Sequence, residues 1–469
     1  MQRLEGNTLR FERKGVKISR RKEALWSTAY SKVSKPMPCG EEEDFMKRSR
    51  KNIGIYSVSL ILVGMLLVGM PFVATAADTI KIGALGSASG PWESIHRLFY
   101  NGFKFAMDEQ NAKGGLLGKK IEAIVEDNEF KGDVATRKAK KLILEDKVNI
   151  ICTSNASPCA VALNKVATDY KILHINHGGL STEIQGREFS RYSFRVAPSE
   201  YNHWAALALF MAKKPYRRFY LLGMDFLFSH SAADAFKAQI KIHLPDATVV
   251  GEDYHPPGAK DFGPYITKII AAKADAVLVT SVPPYFAYII KQARAMGLKA
   301  PFPFLTNIVE PHPMNELKED GVSIYATHGY SLRVKTPENQ EMIKRYREMH
   351  KDDKDFQTWW PVGNLATGIL GWKMTFAAIE KAGSLDPEKV IEAFEGFQYN
   401  TPVGLWTMRK CDHQVIVPMY GLVMESQNPY FDGSIRPEIK FPWVGPNIEM
   451  FPAEKVNIAA TPDYNPRCR

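Results

Sequence analysis

One polar loop gathers the groups in this chain best suited to holding an anion. Thr153-Ser154-Asn155-Ala156-Ser157-Pro158 follows the apolar run Asn149–Cys152 and precedes the helix-period stretch Cys159–Tyr170. Ser154, Asn155 and Ser157 offer two hydroxyls and an amide. The N–H groups of a helix start have no intrahelical acceptor and suit a carboxylate. Ser157 also fits plain N-capping of that helix, with Pro158 at its first position, and the two roles are compatible. Catalytic patterns are weaker. Gly86-Ser87-Ala88-Ser89-Gly90 has Ala88 where a nucleophile elbow needs Ser. Gly83, Gly86 and Gly90 miss the dinucleotide spacing, and there is no P-loop. His174 and His177 stand three apart at a strand end, which suits a structural or pocket-rim role better than zinc. Glu310-Pro311-His312-Pro313 reads as a rigid loop.

The elements that position these groups alternate. Ile80–Leu85 is an apolar strand, a Gly/Ser turn follows, a helix-period run reaches Asn111, and Ile121–Glu126 is a second strand. The helix Val134–Glu145, the strand Asn149–Cys152, the helix Cys159–Tyr170 and the strand Ile172–Ile175 continue the series. A second βα series starts at the helix Tyr201–Ala212 and runs through strands at Arg218–Leu222, Thr248–Asp253, Ala276–Thr280 and Phe302–Thr306. Alternation of this kind specifies parallel sheets with helices on both faces, and ligands then collect beyond the carboxyl ends of the strands. The later helices Glu338–His350, Val362–Ala382 and Pro387–Phe397 precede paired strands at Leu405–Lys410 and Val415–Met424. The fold class is therefore α/β, with two lobes that each hold a mainly parallel, doubly wound sheet.

An export signal precedes the first strand. Met46-Lys47-Arg48-Ser49-Arg50-Lys51 is a basic start, 53–73 is almost wholly apolar, and Ala74-Thr75-Ala76 is a small-residue cleavage pattern. A signal peptide over 46–76 cleaved after Ala76 is expected; a retained span is the alternative, since the apolar run is long enough. No Cys follows that run, which speaks against a lipid anchor. Residues 1–45 are then an untranslated or disordered extension, with Met46 the true start. This reassigns the charge. The chain carries +10, but residues 1–77 hold 14 Lys/Arg and 7 Asp/Glu, leaving 47 against 44 and a net of +3. A nucleic-acid partner loses its main support. Of the cysteines beyond the cleavage site, Cys411 and Cys468 lie in polar, turn-rich sequence and are the disulfide candidate. Cys152 and Cys159 fit a bridge or a pair of free buried thiols.

The chain resembles the periplasmic substrate-binding proteins of branched-chain-amino-acid-type ABC transporters, the Leu/Ile/Val-binding-protein-like group. The likeness rests on Ile80-Lys81-Ile82-Gly83 with Ser89-Gly90, on Asn101-Gly102, and on Asp108-Glu109-Gln110-Asn111-Ala112-Lys113-Gly114-Gly115. Gly118, Asp127, the Ser154 loop, Asp225 and Lys291-Gln292-Ala293-Arg294-Ala295-Met296-Gly297 extend it over 78–425. It implies a type I periplasmic-binding fold with a three-crossover hinge: lobe 1 from 77–198 and 329–417, lobe 2 from 199–328 and 418–469.

It also implies site residues. The loop at Ser154 and Asn155 matches the one that takes a ligand carboxylate. His177-Gly178-Gly179-Leu180-Ser181-Thr182 matches the second family loop, which brings in Gly178, Gly179 and Ser181. Amino-acid-binding relatives carry Thr where this chain has Leu180, and an aromatic-Gly pair where it has Phe228-Ser229. The loss of those hydroxyls points away from an α-amino acid and toward an aromatic or branched carboxylate or amide. Trp92, Phe226 and Phe228 supply apolar and π-face contacts, and Ser281 and Asn307 complete the second lobe's side. The expected protein is an exported, periplasmic or secreted monomer that binds a small solute without metal or cofactor and delivers it to inner-membrane permease subunits; it is not an enzyme. A ligand-sensing receptor domain of the same fold is the alternative, and a hydrolase ranks below both.

Overall fold

Short apolar runs bounded by polar turns form strands buried on both faces, and Ile80–Gly86, Ile150–Thr153 and Leu173–Asn176 form the centre of the first sheet in this way. β1 (Ile80–Gly86), β2 (Ile121–Asp127), β3 (Ile150–Thr153), β4 (Leu173–Asn176) and β5 (Ser193–Arg195) lie in the order β2-β1-β3-β4-β5, every pair parallel. The structure is a computed structural model that describes residues 79–307, 311–353, 362–425, 443–445 and 447–468. The extension and signal peptide expected over 1–76 lie outside the described residues. α1 (Glu93–Ala112), α2 (Gly132–Leu144) and α3 (Ser157–Tyr170) connect the first four strands.

The second sheet repeats the scheme. α4 (Glu200–Ala212), β6 (Arg218–Met224), α5 (Leu227–His243), β7 (Thr248–His255), α6 (Gly263–Ala271), β8 (Ala276–Val279), α7 (Tyr285–Ala295) and β9 (Phe304–Thr306) follow one another. Then come α8 (Pro311–Leu317) and β10 (Ile324–His328). β14 (Met419–Glu425), β15 (Trp443–Val444) and β16 (Glu449–Phe451) add antiparallel strands at one edge. α8 corrects the sequence reading of a rigid loop at 310–313: from Pro311 the chain is helical, since a proline in a helix's first turn has no N–H to waste.

Between β10 and β14 the chain returns to the first lobe. α9 (Pro337–Met349) docks on α1 through Phe105–Tyr346 (5.1 Å) and Arg345–Glu109 (2.5 Å). α10 (Gly363–Ala382) packs on α1 where Gly102 has no side chain: a Cβ there would lie 2.3 Å from Leu365 O. α11 (Pro387–Phe394) leads into a small antiparallel sheet of β11 (Gln398–Thr401), β12 (Gly404–Met408) and β13 (Val415–Ile416). The single strand read at Val415–Met424 is thus two, split at Val417–Pro418, where the chain changes sheets and proline removes a ladder donor. Crossings at 196–199, 329–336 and 417–418 connect the lobes, and the chain crosses a fourth time at 457–458.

The sequence reading placed all of 418–469 in the second lobe, and this needs correction. α12 (Ala453–Val456) does pack there, with Asn202 Nδ2 donating to Val456 O (3.0 Å). Residues 464–468 lie on the first: Tyr464 Oη donates to Thr182 O (3.4 Å), Asn465 Nδ2 to Gln185 O (2.8 Å), and Cys468 is disulfide-bonded to Cys411. Cys152 and Cys159 are free and buried, and burial pushes the Cys159 thiol up to about 12, so both are inert packing residues.

Candidate functional site

The loops that follow β1, β2, β3 and β4 meet those that follow β6, β8 and β9 across a cleft. The cavity between them has a volume of about 60 Å³. From the first lobe it is lined by Trp92, Ile95, Phe99, Phe130, Asn155, Ala156, Ser157, Gly178, Leu180 and Asn364. From the second come Phe226, Phe228, Val282 and Asn307. None of these residues carries a formal charge. Three rings close the space. Trp92 stacks on Phe130 at 3.9 Å and 12°, and Phe226 reaches over from the other lobe to meet Trp92 edge-on at 5.4 Å.

The first loop is held by side chains its sequence did not reveal as partners. Ser87 N donates to Asn155 Oδ1 (2.9 Å), which fixes the amide's orientation and leaves its Nδ2 donor buried with no partner. Ala156 precedes α3 at φ 70°, ψ 96°, a strained backbone for a residue with a Cβ and one that clusters at ligand clamps. Ser157 is not the cap expected of it: Ala156 holds the cap position, and the Ser157 hydroxyl accepts from Ser181 N (3.2 Å), tying the two loops together. The first-turn N–H groups of α3 therefore have no side-chain cap.

Gly178 explains how the loops come so close. A Cβ at 178 would stand 1.8 Å from Ser154 O and 2.9 Å from Asn155 N. Asn176 Oδ1 accepts from both Gly178 N (3.2 Å) and Gly179 N (2.7 Å) and so shapes the turn. Beneath it, the fully buried Arg195 guanidinium donates to Ser181 O (2.6 Å) and Leu180 O (3.2 Å).

Four expected contacts lie outside the cavity lining. Ser154 Oγ shares a 2.6 Å hydrogen bond with His96 Nδ1, in a space that exists because residue 86 is glycine; a Cβ there would fall 1.9 Å from that nitrogen. Burial holds the His96 imidazole down to about 4, against the pull of Asp127. Ser281 Oγ is bonded to His255 Nε2 (2.8 Å), and Gly179 and Ser181 are buried behind Leu180 and Gly178. The remaining expected residues, Trp92, Asn155, Ser157, Gly178, Phe226, Phe228 and Asn307, all line the cavity. Asn307 is 5 % exposed, and its Oδ1 is a second buried amide atom without a partner. Sequence reading missed Ile95 and Phe99, a helical turn apart on α1, as well as Phe130, Ala156, Val282 and Asn364. Phe130 was recoverable, since it follows the end of β2 just as Ser154 follows β3.

Other candidate chemistry is absorbed structurally. His174 bonds Thr153 Oγ1 (2.6 Å) and Asn164 Oδ1 (2.9 Å), and His177 Nδ1 accepts from Trp372 Nε1 (2.9 Å). Both imidazoles are pushed down to about 3 by burial. Among the described residues, the group with metal-ligand spacing is Cys411, Asp412 and Cys468, whose sulfurs are bonded to each other. At the hinge, Glu200 Oε1 accepts from Thr182 N (2.5 Å), from Thr182 Oγ1 (2.8 Å) and from Ser231 Oγ. Burial pushes its carboxyl up to about 7 against those hydrogen bonds.

Two lobes with mainly parallel sheets, the crossings that join them and a loop-lined cavity between them define a hinged solute-binding protein. A profile of the family described as Periplasmic binding protein matches residues 79–429, and the chain belongs to that family. The leucine-, isoleucine-, valine-, threonine- and alanine-binding protein of Pseudomonas aeruginosa is 24% identical over 362 residues, 75% of this chain and 91% of the relative. The leucine-specific-binding protein of Salmonella typhimurium is 27% identical over 293 residues, 60% of this chain and 76% of that one. Among solved structures, the closed form of the Brucella ovis leucine-, isoleucine-, valine-, threonine- and alanine-binding protein superposes with a TM-score of 0.72. It is 21% identical and covers 82% of this chain and 97% of its own. A solute-binding protein of an ABC transporter from Rhodopseudomonas palustris, in complex with 4-hydroxybenzoate, gives a TM-score of 0.68 at 23% identity, with coverages of 80% and 98%. The fold is the type I periplasmic-binding fold. Among the described residues, no helix is long and apolar enough to cross a membrane.

Proposed function

We propose that this chain is an exported, monomeric receptor that closes its lobes on an aromatic or branched carboxylate, or the matching amide, and passes it to inner-membrane permease subunits. Residues 46–76 serve as its signal peptide, and it performs no catalysis. The observation that carries the ligand reading is the lining: rings from both lobes and no charged side chain among its described residues. An α-amino acid would bring an ammonium group into that space with no carboxylate to pair it, and burying an unpaired charge is costly. A carboxylate fares differently. The uncapped start of α3 and the free Asn155 Nδ2 donor both favour an anion. On the other lobe, Asn307 is left to meet a polar group at the ligand's far end. The hydroxybenzoate held by the Rhodopseudomonas palustris relative has that pairing of acid and distant hydroxyl.

Size adds a constraint. An apolar cavity of roughly 150 Å³ takes up benzene, so the present space of about 60 Å³ is too small for a ring. Ligand entry requires the lobes to part and Trp92 or Phe226 to move. The ligand then stabilises the closed form by the contacts it makes with both lobes. A thermal-shift panel of branched amino acids, aromatic acids, short dicarboxylates and amides tests the reading, because a bound compound raises the melting temperature by mass action. Aromatic acids are expected to shift it. A response to leucine, isoleucine or valine with the aromatic acids silent overturns the ligand assignment.

A further inference from the structure

After its third crossing the chain returns toward the first lobe, and the return is anchored on both sides of the hinge. On the second lobe, Asn202 Nδ2 donates to Val456 O (3.0 Å) and to Asn457 Oδ1 (2.7 Å). Asn457 Nδ2 donates to Val417 O (3.2 Å), at the crossing itself. The next residue already belongs to the first lobe, where Arg409 Nη1 donates to Ile458 O (2.6 Å). Asn465 then holds Gln185 O, Arg467 pairs with Glu395 (2.9 Å), and Cys468 ends the run in its bond to Cys411. Val456, Asn465 and Cys468 are all buried.

We infer that residues 452–468 are a disulfide-locked strap that restrains hinge opening and biases the ligand-free receptor toward closure. Slack is the deciding quantity. The last anchor on one lobe and the first on the other are adjacent residues, so a rotation that separates α4 from the Arg409 segment must be absorbed by the few backbone torsions at 457–458 or break one of them. Without the disulfide, a few polar bonds hold the segment, and it can leave the hinge in a local opening. With it, Cys468 stays on Cys411, and broken anchors re-form from a high effective concentration. The functional effect follows from population arithmetic, since apparent affinity scales with the fraction of molecules able to close. A fall of that fraction from about one half to about one tenth weakens apparent binding ~5-fold.

The test measures the interlobe distance distribution of the ligand-free protein. Spin labels are attached through unnatural amino acids at Glu145 and Lys299, exposed positions on opposite lobes, so thiols are not involved. The Cys411→Ser/Cys468→Ser variant, and the intact protein treated with a dithiol reductant, are expected to show longer and broader distances than the oxidised protein. Asn457→Ala, which cuts the second-lobe anchor and keeps the disulfide, is expected to move the same way by a smaller amount. Should the double-serine variant fail to fold, reduction of the folded protein and Asn457→Ala carry the test. A lower melting temperature with unchanged distances in these forms identifies a merely structural disulfide and overturns the proposal.

Discussion

Asn155→Asp isolates the group proposed to meet the ligand's acid. The change keeps shape and volume, and it keeps an oxygen to accept from Ser87 N, whose 2.9 Å bond sets the loop. What changes is the buried Nδ2, which turns from a free donor into an acceptor with negative charge. A hydrogen bond to a charged group contributes about 1.5–3 kcal/mol. Two carboxylates roughly 4 Å apart at an effective dielectric near 20 repel by about 4 kcal/mol. Together these come to about 6 kcal/mol, or ~10⁴-fold in Kd at roughly 1.4 kcal/mol per decade. A buried Asp raises its own pKa, so binding of the acid should recover as pH falls and the new side chain becomes a donor again. Benzamide, with no charge to repel, should lose only about tenfold or less. Calorimetry with the aromatic acid found in the thermal screen measures all three effects. The folding control is Asn155→Ala, which strands the buried Ser87 N–H at about 1–3 kcal/mol and lowers the melting temperature by several degrees at any pH, while Asn155→Asp keeps that bond and loses stability only through its buried charge, a loss that shrinks as pH falls. If Asn155→Asp binds the acid at neutral pH as tightly as the parent protein, Asn155 is not a carboxylate contact and the anion end lies elsewhere.

Two further outcomes follow from the loop contacts and the buried histidines. Gly178→Ala must part the two first-lobe loops by more than 1 Å, because its Cβ would meet Ser154 O at 1.8 Å; calorimetry should show at least tenfold weaker binding, with a stability loss of about 1–3 kcal/mol in thermal melts, and an unchanged Kd refutes the loop pairing. Stability should also fall as pH drops from about 6.5 toward 4, because the folded state holds His174, His177 and His328 down to about 3 and His96 and His203 to about 4, whereas the unfolded chain protonates them near 6.5. Glu200 opposes this trend, since its raised pKa stabilises below about 4.5 and that contribution is lost as pH rises through about 7. A melting temperature that stays flat between pH 7 and pH 5 would show that these histidines are not held neutral.

Much of the fold was legible because buried parallel strands leave a plain sequence signal. Ile80–Gly86 and Ala276–Val279 are apolar runs between turn residues, and helix-period stretches separate them from their neighbours. Where that signal was absent, reading failed. β5 is Ser193-Phe194-Arg195, too short and too polar to announce itself, and it exists because Asn176, Gln414 and His413 lie beside it in space. The site shows the same division. Loop positions after strands line the cavity, since backbone topology puts them there. The fate of individual hydroxyls was not readable: Ser154 is claimed by a histidine 58 residues away and Ser281 by one 26 residues away. A serine in a loop has the same sequence appearance whether its hydroxyl faces a ligand or a buried imidazole.

The three-ring closure separates the two ligand types left open by composition alone. Trp92, Phe130 and Phe226 already satisfy one another by stacked and edge-on contact across the cleft. A ligand that enters must break part of this arrangement, and aromatic pairs contribute about 0.5–1.5 kcal/mol beyond the area they bury. A flat ring can replace the lost partner face for face, so that term is regained when the lobes close. A branched aliphatic chain buries comparable area and cannot restore the stacking. Leu180 and Val282 line other parts of the cavity and accept either shape. The balance therefore tips toward an aromatic acid by the stacking term, before any hydrogen bond from Asn155 or Asn307 is counted.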